Sequence, residues 1–178
     1  MRTLLLLRHA KAARDAADKQ DHSRPLNERG HAAAAAMGRW LAGRPALQPD
    51  LALVSTALRT RETWEDVAGE LPAPVPVHYE RALYLAEPHA ALAVIAKTPN
   101  DVERLMVIAH NPGTHELARA LVGTIGARAA ARLAFERMRE HFPTGSLAVI
   151  AFPKIRKWAD VAPGKGRFES FIRPRDVT

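Results

Sequence analysis

Leu4-Leu5-Leu6-Leu7-Arg8-His9-Ala10-Lys11 is the stretch on which the reading of this chain turns. Four consecutive leucines without polar alternation suit a strand buried on both faces, because a strand with one wet face alternates. Three further runs read the same way: Leu51-Ala52-Leu53-Val54, Leu105-Met106-Val107-Ile108-Ala109 and Leu147-Ala148-Val149-Ile150-Ala151-Phe152. Between the first three lie helical stretches. Asn27 to Ala42 has Asn27 placed to cap, Glu28 in the first turn, and Ala33, Ala36, Met37, Trp40 and Leu41 near helical spacing. Leu58 to Leu71 and Pro112 to Val122 read as helices too, the second with Pro112 in a favourable first-turn position. His89 to Lys97 and Arg128 to His141 follow suit, and Phe168 to Ile172 reads as one more strand. Strands alternating with helices of this length predict an α/β fold: a three-layer α/β/α sandwich around a mostly parallel central sheet.

The chain has 178 residues, of which 47% are hydrophobic and 25% charged, the composition of one globular domain spanning 1–178. Pro72-Ala73-Pro74-Val75-Pro76 is a rigid connector, not a domain boundary, since the strand and helix pattern continues beyond it. There is no cysteine, which excludes thiol nucleophiles, disulfide scaffolds and zinc ribbons. The run Leu4 to Leu7 is stopped by Arg8 and His9, too short for a signal peptide or a membrane span, so the expected location is the cytoplasm. A net charge of +7 invites a nucleic-acid reading, yet +4 of it falls in residues 153–178. That basic C-terminal strand and tail has no groove-reading helix or aromatic stacking pattern, and its Lys, Pro and Gly read as readily as solvated surface.

In open α/β sheets, ligands bind beyond the carboxyl ends of the strands, where helix N-termini also point. Arg8 and His9 follow the first strand; Ser55 and Thr56 follow the second, with Arg59 in the next helical turn; His110-Asn111-Pro112-Gly113 follows the run ending at Ala109. Any one of these residues alone reads as a solvated boundary charge or a hydrogen-bonded loop histidine. Three strand ends that each supply a cation or an imidazole to the same topological edge read as a phosphate site, because guanidinium forks and helix-terminal N–H groups both favour phosphoryl oxygens. A metal site is the competing use of paired histidines. His110 and His115 lack the i, i+4 spacing of helical zinc ligands and have no carboxylate cluster beside them, so no metal is expected. No P-loop occurs. His22, His31, His78, His89, His115 and His141 read as surface or structural.

Taken together, Leu5-Leu6-Leu7-Arg8-His9-Ala10-Lys11, Ser55-Thr56-Ala57-Leu58-Arg59-Thr60-Arg61-Glu62-Thr63 and Ile108-Ala109-His110-Asn111-Pro112-Gly113 resemble the histidine phosphatase superfamily with its phosphoglycerate mutase-like fold. Within it they look most like the small phosphohistidine phosphatases of the SixA type. Asp21 to Gly30, the Leu83-Tyr84 pair and Phe142 to Ser146 support the match, which runs over residues 1–152. The resemblance implies that His9 attacks phosphorus to form a phosphohistidine enzyme intermediate. Arg8, Arg59 and His110 then hold the equatorial oxygens, with Asn111 among the phosphate-binding candidates and no metal or organic cofactor required. Lys11, Asp21 and Arg24 either shape the pocket or brace its loops.

Two departures from the family pattern carry information. Ala10 stands where the usual motif has glycine, as is common in the SixA-like branch. Leu85 falls where the mutase and broad phosphatase branches carry a glutamate proton donor, with Glu80 and Glu87 nearby but displaced. An alkoxide leaving group needs that proton, and general acid catalysis is worth about 10² to 10⁴-fold. A phosphoramidate is more labile, so the expected substrate is phosphohistidine in a protein. Two alternatives stay open: a general small-molecule phosphomonoesterase using Glu80 or Glu87, and a basic phosphate- or nucleic-acid-binding module without catalysis.

Overall fold

The computed structural model describes residues 1–177. Seven strands run as β1 (Arg2–Arg8), β2 (Leu51–Ser55), β3 (Val77–Glu80), β4 (Arg104–Ala109), β5 (Val122–Ile125), β6 (Leu147–Phe152) and β7 (Gly166–Ile172). They form one sheet in the order β3-β2-β4-β1-β6-β7-β5. The pairs β3/β2, β2/β4, β4/β1 and β7/β5 are parallel, and only β6, lying between β1 and β7, runs against its neighbours. This is the α/β, mostly parallel architecture that the buried runs predict.

The leucines of β1 explain the three layers. Side chains alternate across a strand. Leu4 and Leu6 therefore pack in one cluster with Ile95 of α3 (Pro88–Ile95), Leu117 and Leu121 of α4 (Gly113–Leu121) and Met138 of α5 (Ala129–Glu140). Leu5 and Leu7 pack on the other face with Met37 and Leu41 of α1 (Glu28–Ala42) and Trp64 and Val67 of α2 (Leu58–Gly69). All four are at most 1% exposed. At roughly 1.5–3 kcal/mol per buried leucine, this strand alone accounts for several kcal/mol of the driving force.

Local signals set the element ends. Asn27 caps α1 through its side chain, which accepts a hydrogen bond from the Gly30 N–H at 2.9 Å. Pro112 stands at the cap of α4, one position before the helix. Two strands lacked a sequence signal. β3 and β5 are edge strands with largely exposed side chains, so neither carries an apolar run or a clean alternation. Val122, read as the end of a helix, starts β5 instead. The C-terminal segment is no loose tail. Trp158 and Phe168 are fully buried, the Trp158 indole N–H donates to the Val102 carbonyl at 2.8 Å, and β7 pairs on both sides. No helix among the described residues is long and apolar enough to cross a membrane.

Candidate active site

Parallel β1, β2 and β4 end at the same edge of the sheet, and the loops after them converge there. Arg8, His9, Lys11, Arg24, Arg59, His110 and Asn111 all line one cleft of about 550 Å³, together with Ala12, Arg29, Leu85 and Thr144. Every site residue expected from sequence is therefore in or against this cleft, Asp21 lying directly behind Arg59.

Geometry selects one nitrogen of His9. Its Nδ1 lies 2.7 Å from the carbonyl oxygen of Ala10, an acceptor only, so Nδ1 carries the proton and donates. Nε2 is left with its lone pair. Burial lowers the His9 pKa to about 4, partly offset by the Ala10 carbonyl and reinforced by Arg59, Arg8 and Arg24. The ring is neutral at pH 7. The backbone around it is fixed by Gly145, whose N–H lies 3.1 and 3.0 Å from the Arg8 and His9 carbonyl oxygens. Gly145 has φ +75°, and a Cβ there would press on Pro174 at 2.8 Å, so this turn demands glycine.

Arg8 donates from Nη1 to the Phe142 carbonyl at 2.7 Å, while its Nε is buried with no partner among the described residues. Burial lowers its pKa. Asn111 donates to the same carbonyl at 3.1 Å, leaving its Oδ1 unpartnered. Arg59 is only 3% exposed and is clamped by Asp21, with Nη1 to the backbone oxygen at 2.6 Å and Nη2 to Oδ2 at 2.9 Å. That carboxylate also accepts from the Tyr84 hydroxyl at 2.7 Å and from Arg24 at 3.0 Å. The Tyr84 hydrogen bond, with those from Arg59 and Arg24, holds Asp21 well below the usual carboxylate range. Asp21 thus orients two arginines as a bracing group.

His110 sits 5.2 Å from His9, centroid to centroid, and its Nε2 lies 2.7 Å from the Ser55 hydroxyl. Its Nδ1 is buried and unpartnered. Burial, followed by the His9 and Arg59 charges, lowers its pKa to about 3. Where the Ser55 hydroxyl donates to Nε2, the neutral ring carries its proton on the unpartnered Nδ1 and has a donor to spare. Among the described residues, four of the six buried side-chain polar atoms left without partners belong to Arg8, His110, Asn111 and Ser146, all at this edge. Protein interiors rarely leave such groups unpaired, and their concentration here marks a site built for a ligand.

Sequence reasoning missed several members. His22, read as surface or structural, lies 3.0 Å from the Thr56 hydroxyl and edge-on to Tyr84, which is in turn edge-on to His110. Arg29 lines the cleft from the first turn of α1. The signal for Tyr84 was its place in the Leu83-Tyr84 pair; His22 and Arg29 had none beyond lying in the Asp21 to Gly30 segment. The two glutamates weighed as proton donors are elsewhere: Glu80 lies at the end of edge strand β3, and the Glu87 side chain is 78% exposed, 3.4 Å from His89. Neither lines the cleft. Leu85 does, held at φ +50°. The Tyr84 to Ala86 loop reaches this position because residue 113 is glycine; a Cβ there would run into the Ala86 carbonyl oxygen. Among the described residues, no group of three or more His, Asp or Glu side chains is arranged to hold a metal ion.

A parallel sheet edge that gathers two neutral imidazoles and several arginines defines an α/β enzyme acting on phosphoryl groups. Comparison with known proteins narrows this. Residues 4–84 match the model of the histidine phosphatase superfamily (branch 1). An uncharacterized protein of Mycobacterium tuberculosis is 38% identical over 170 residues, covering 95% of this chain and 100% of the relative. A candidate phosphohistidine phosphatase SixA from Nakamurella multipartitia superposes with a TM-score of 0.80 at 32% identity, over 97% of this chain and 96% of its own. The protein histidine phosphatase SixA, in complex with tungstate, gives 0.75 at 25% identity over 99% of each chain. The chain belongs to the histidine phosphatase superfamily. Its fold is phosphoglycerate mutase-like, and its class is that of the phosphatases.

Proposed function

We propose that this protein removes the phosphoryl group from phosphohistidine in a protein, by way of a phosphohistidine intermediate on its own His9. The free Nε2 of His9 supports the nucleophilic role: its lone pair forms a bond to phosphorus as the P–N bond of the substrate breaks. The departing imidazole takes a proton from water on its basic ring nitrogen and leaves neutral, and the hydroxide so formed is neutralised by the proton released when water attacks in the next step. Water then attacks the phosphorus on His9, releasing inorganic phosphate and returning Nε2 with its lone pair. Arg8, Arg59 and the Nδ1–H of His110 are the donors for the three equatorial oxygens, beside Asn111, and electrostatic stabilisation of this kind is the main source of rate in phosphoryl transfer. The scheme draws on the chain's own side chains and on no metal or cofactor.

One observation carries the choice of substrate. Among the described residues, those lining the cleft include no carboxyl group. With no acid beside the leaving group, an alkyl phosphomonoester loses about 10² to 10⁴-fold of assistance that a phosphoramidate does not need. The likeness to SixA phosphatases supports the same reading. The test is a comparison of kcat/KM on a phosphohistidine protein and on a simple alkyl phosphate. A preference of at least about 10²-fold for the former is expected, and comparable values contradict the assignment.

A further inference from the structure

We propose that Lys11 and Arg29, at the mouth of the cleft beside Arg24, dock acidic side chains that flank the phosphohistidine of the protein substrate; this rests on the phosphohistidine reading above. The starting point is a charge imbalance. Five cationic side chains line the cleft, namely Arg8, Lys11, Arg24, Arg29 and Arg59. Among the described residues, the one carboxylate ion-paired with them is Asp21, behind Arg59 and Arg24. Once Asp21 is set against one of these charges and a dianionic phosphoryl group against two more, two positive charges stay unmatched. Arg8 and Arg59 flank the two histidines at the floor, so the unmatched charge belongs to the mouth.

Three features separate this mouth from ordinary solvated surface. Arg29 sits in the first turn of α1, the helix end where the aligned peptide dipoles disfavour a cation. Neither the Lys11 ammonium nor the Arg29 guanidinium has a hydrogen-bond or ion-pair partner among the described residues, although both face the same cleft as three other cations. Arg24, by contrast, is fixed in place by two donations to the Ala13 carbonyl, at 3.1 and 2.9 Å, and by its bond to Asp21. Like charges held together at a helix N-terminus oppose folding locally and are relieved when an anion arrives.

The occupant follows from the character of the walls. Small-molecule sites are mostly apolar and enclose most of their ligand. Here only Ala12 and Leu85 are apolar, and Lys11, Arg29 and Leu85 are exposed, so a second anion on a small molecule would stay in water. Carboxylates spread over the surface of a protein substrate match several exposed cations at once. Such rim charges act mainly on the rate of productive encounter and on discrimination between partners.

Two phosphohistidine peptides, identical except that the flanking residues are glutamates in one and glutamines in the other, test this directly. The glutamate peptide is expected to show a kcat/KM roughly tenfold higher at low salt, the ratio falling toward one near about 0.5 M as screening shortens the reach of the charges. In the double variant Lys11→Ala, Arg29→Ala the ratio should collapse to within about twofold, and in Lys11→Glu, Arg29→Glu it should invert. Equal use of both peptides by the wild-type protein, or an unchanged ratio in the variants, overturns the docking role while leaving the phosphohistidine reading intact. Hydrolysis of neither peptide by normally folded protein overturns both. Inhibition by single-stranded DNA but not by polyglutamate, or turnover of an alkyl bisphosphate matching that of the glutamate peptide, assigns the mouth to another anion and overturns the acidic protein.

Discussion

Strand β1 begins and ends with an arginine, and the two are put to opposite uses. Arg2 is 8% exposed and spends its guanidinium on backbone: Nε donates to the Arg156 carbonyl at 3.0 Å, Nη1 to that of Val102 at 2.6 Å, and Nη2 to those of Asn100 and Arg156. It ties the turn before β4 and the turn after β6 to the first strand. Arg8, seven positions along the same strand with both ends counted, makes one side-chain hydrogen bond and leaves Nε buried and unpaired. Residue type and strand are the same, Arg2 being buried and Arg8 half-buried. Between these two arginines, what differs is whether the donors are already satisfied within the fold.

The largest effect should come from removing each fork. Arg8→Ala is expected to lower kcat/KM by about 10² to 10³-fold, with the midpoint of chemical unfolding little changed, because an unsatisfied donor leaves with the side chain. Arg2→Ala should do the reverse: about 2–4 kcal/mol lost from the unfolding free energy, since three backbone acceptors lose a charged partner, and unaltered kcat/KM per folded molecule. Equal stability losses in the two variants would erase the contrast.

Mild acid should act first on the histidine end of the sheet. His9 and His110 take up protons at about 4 and about 3 when folded, but near 6.5 in the unfolded chain. Below pH 6.5 the unfolded state therefore binds more protons, so stability is full above that pH and falls as the pH drops toward the folded values, at up to about 1.4 kcal/mol per pH unit per histidine. Urea unfolding across this range should give a shallower slope for His110→Gln than for wild type, while Arg2→Ala stays parallel to wild type. A His110→Gln slope equal to that of wild type contradicts the buried neutral histidine.

Lysine replacements give the smallest effects and test geometry, not charge. Arg8→Lys keeps the charge but loses the planar fork, so kcat/KM should drop by about tenfold. Arg2→Lys should cost about 1–2 kcal/mol of stability, because an ammonium cannot span three carbonyls. A lysine that restores full function at either end shows that charge alone suffices there.

This contrast also marks what the sequence could convey. The quadruple leucine run, the other three buried runs and the Asn27 cap were legible because double-sided burial and capping leave local patterns. Edge strands β3 and β5 were not, since exposed pairing needs no particular side chains. At the site, Arg8, His9, Arg59 and His110 were legible from their place after strands. Tyr84, His22 and Ser55 owe their roles to contacts made across the fold, to Asp21, Thr56 and His110 respectively, which no short window contains. The strand-end rule puts Arg8 at the ligand edge and Arg2 at the opposite one. What it does not convey is the use made of Arg2, which depends on the carbonyls that the fold delivers to it.

The central claim is that His9, beside the unspent Arg8, is the atom that receives the phosphoryl group. Rapid quenching of the protein with a radiolabelled phosphohistidine protein measures it most directly. Label on His9 that is acid-labile and base-stable, absent in His9→Ala and retained in Arg2→Ala, is the predicted result. Label that persists in His9→Ala, or substrate turnover with no label on the wild-type enzyme at any quench time, contradicts it.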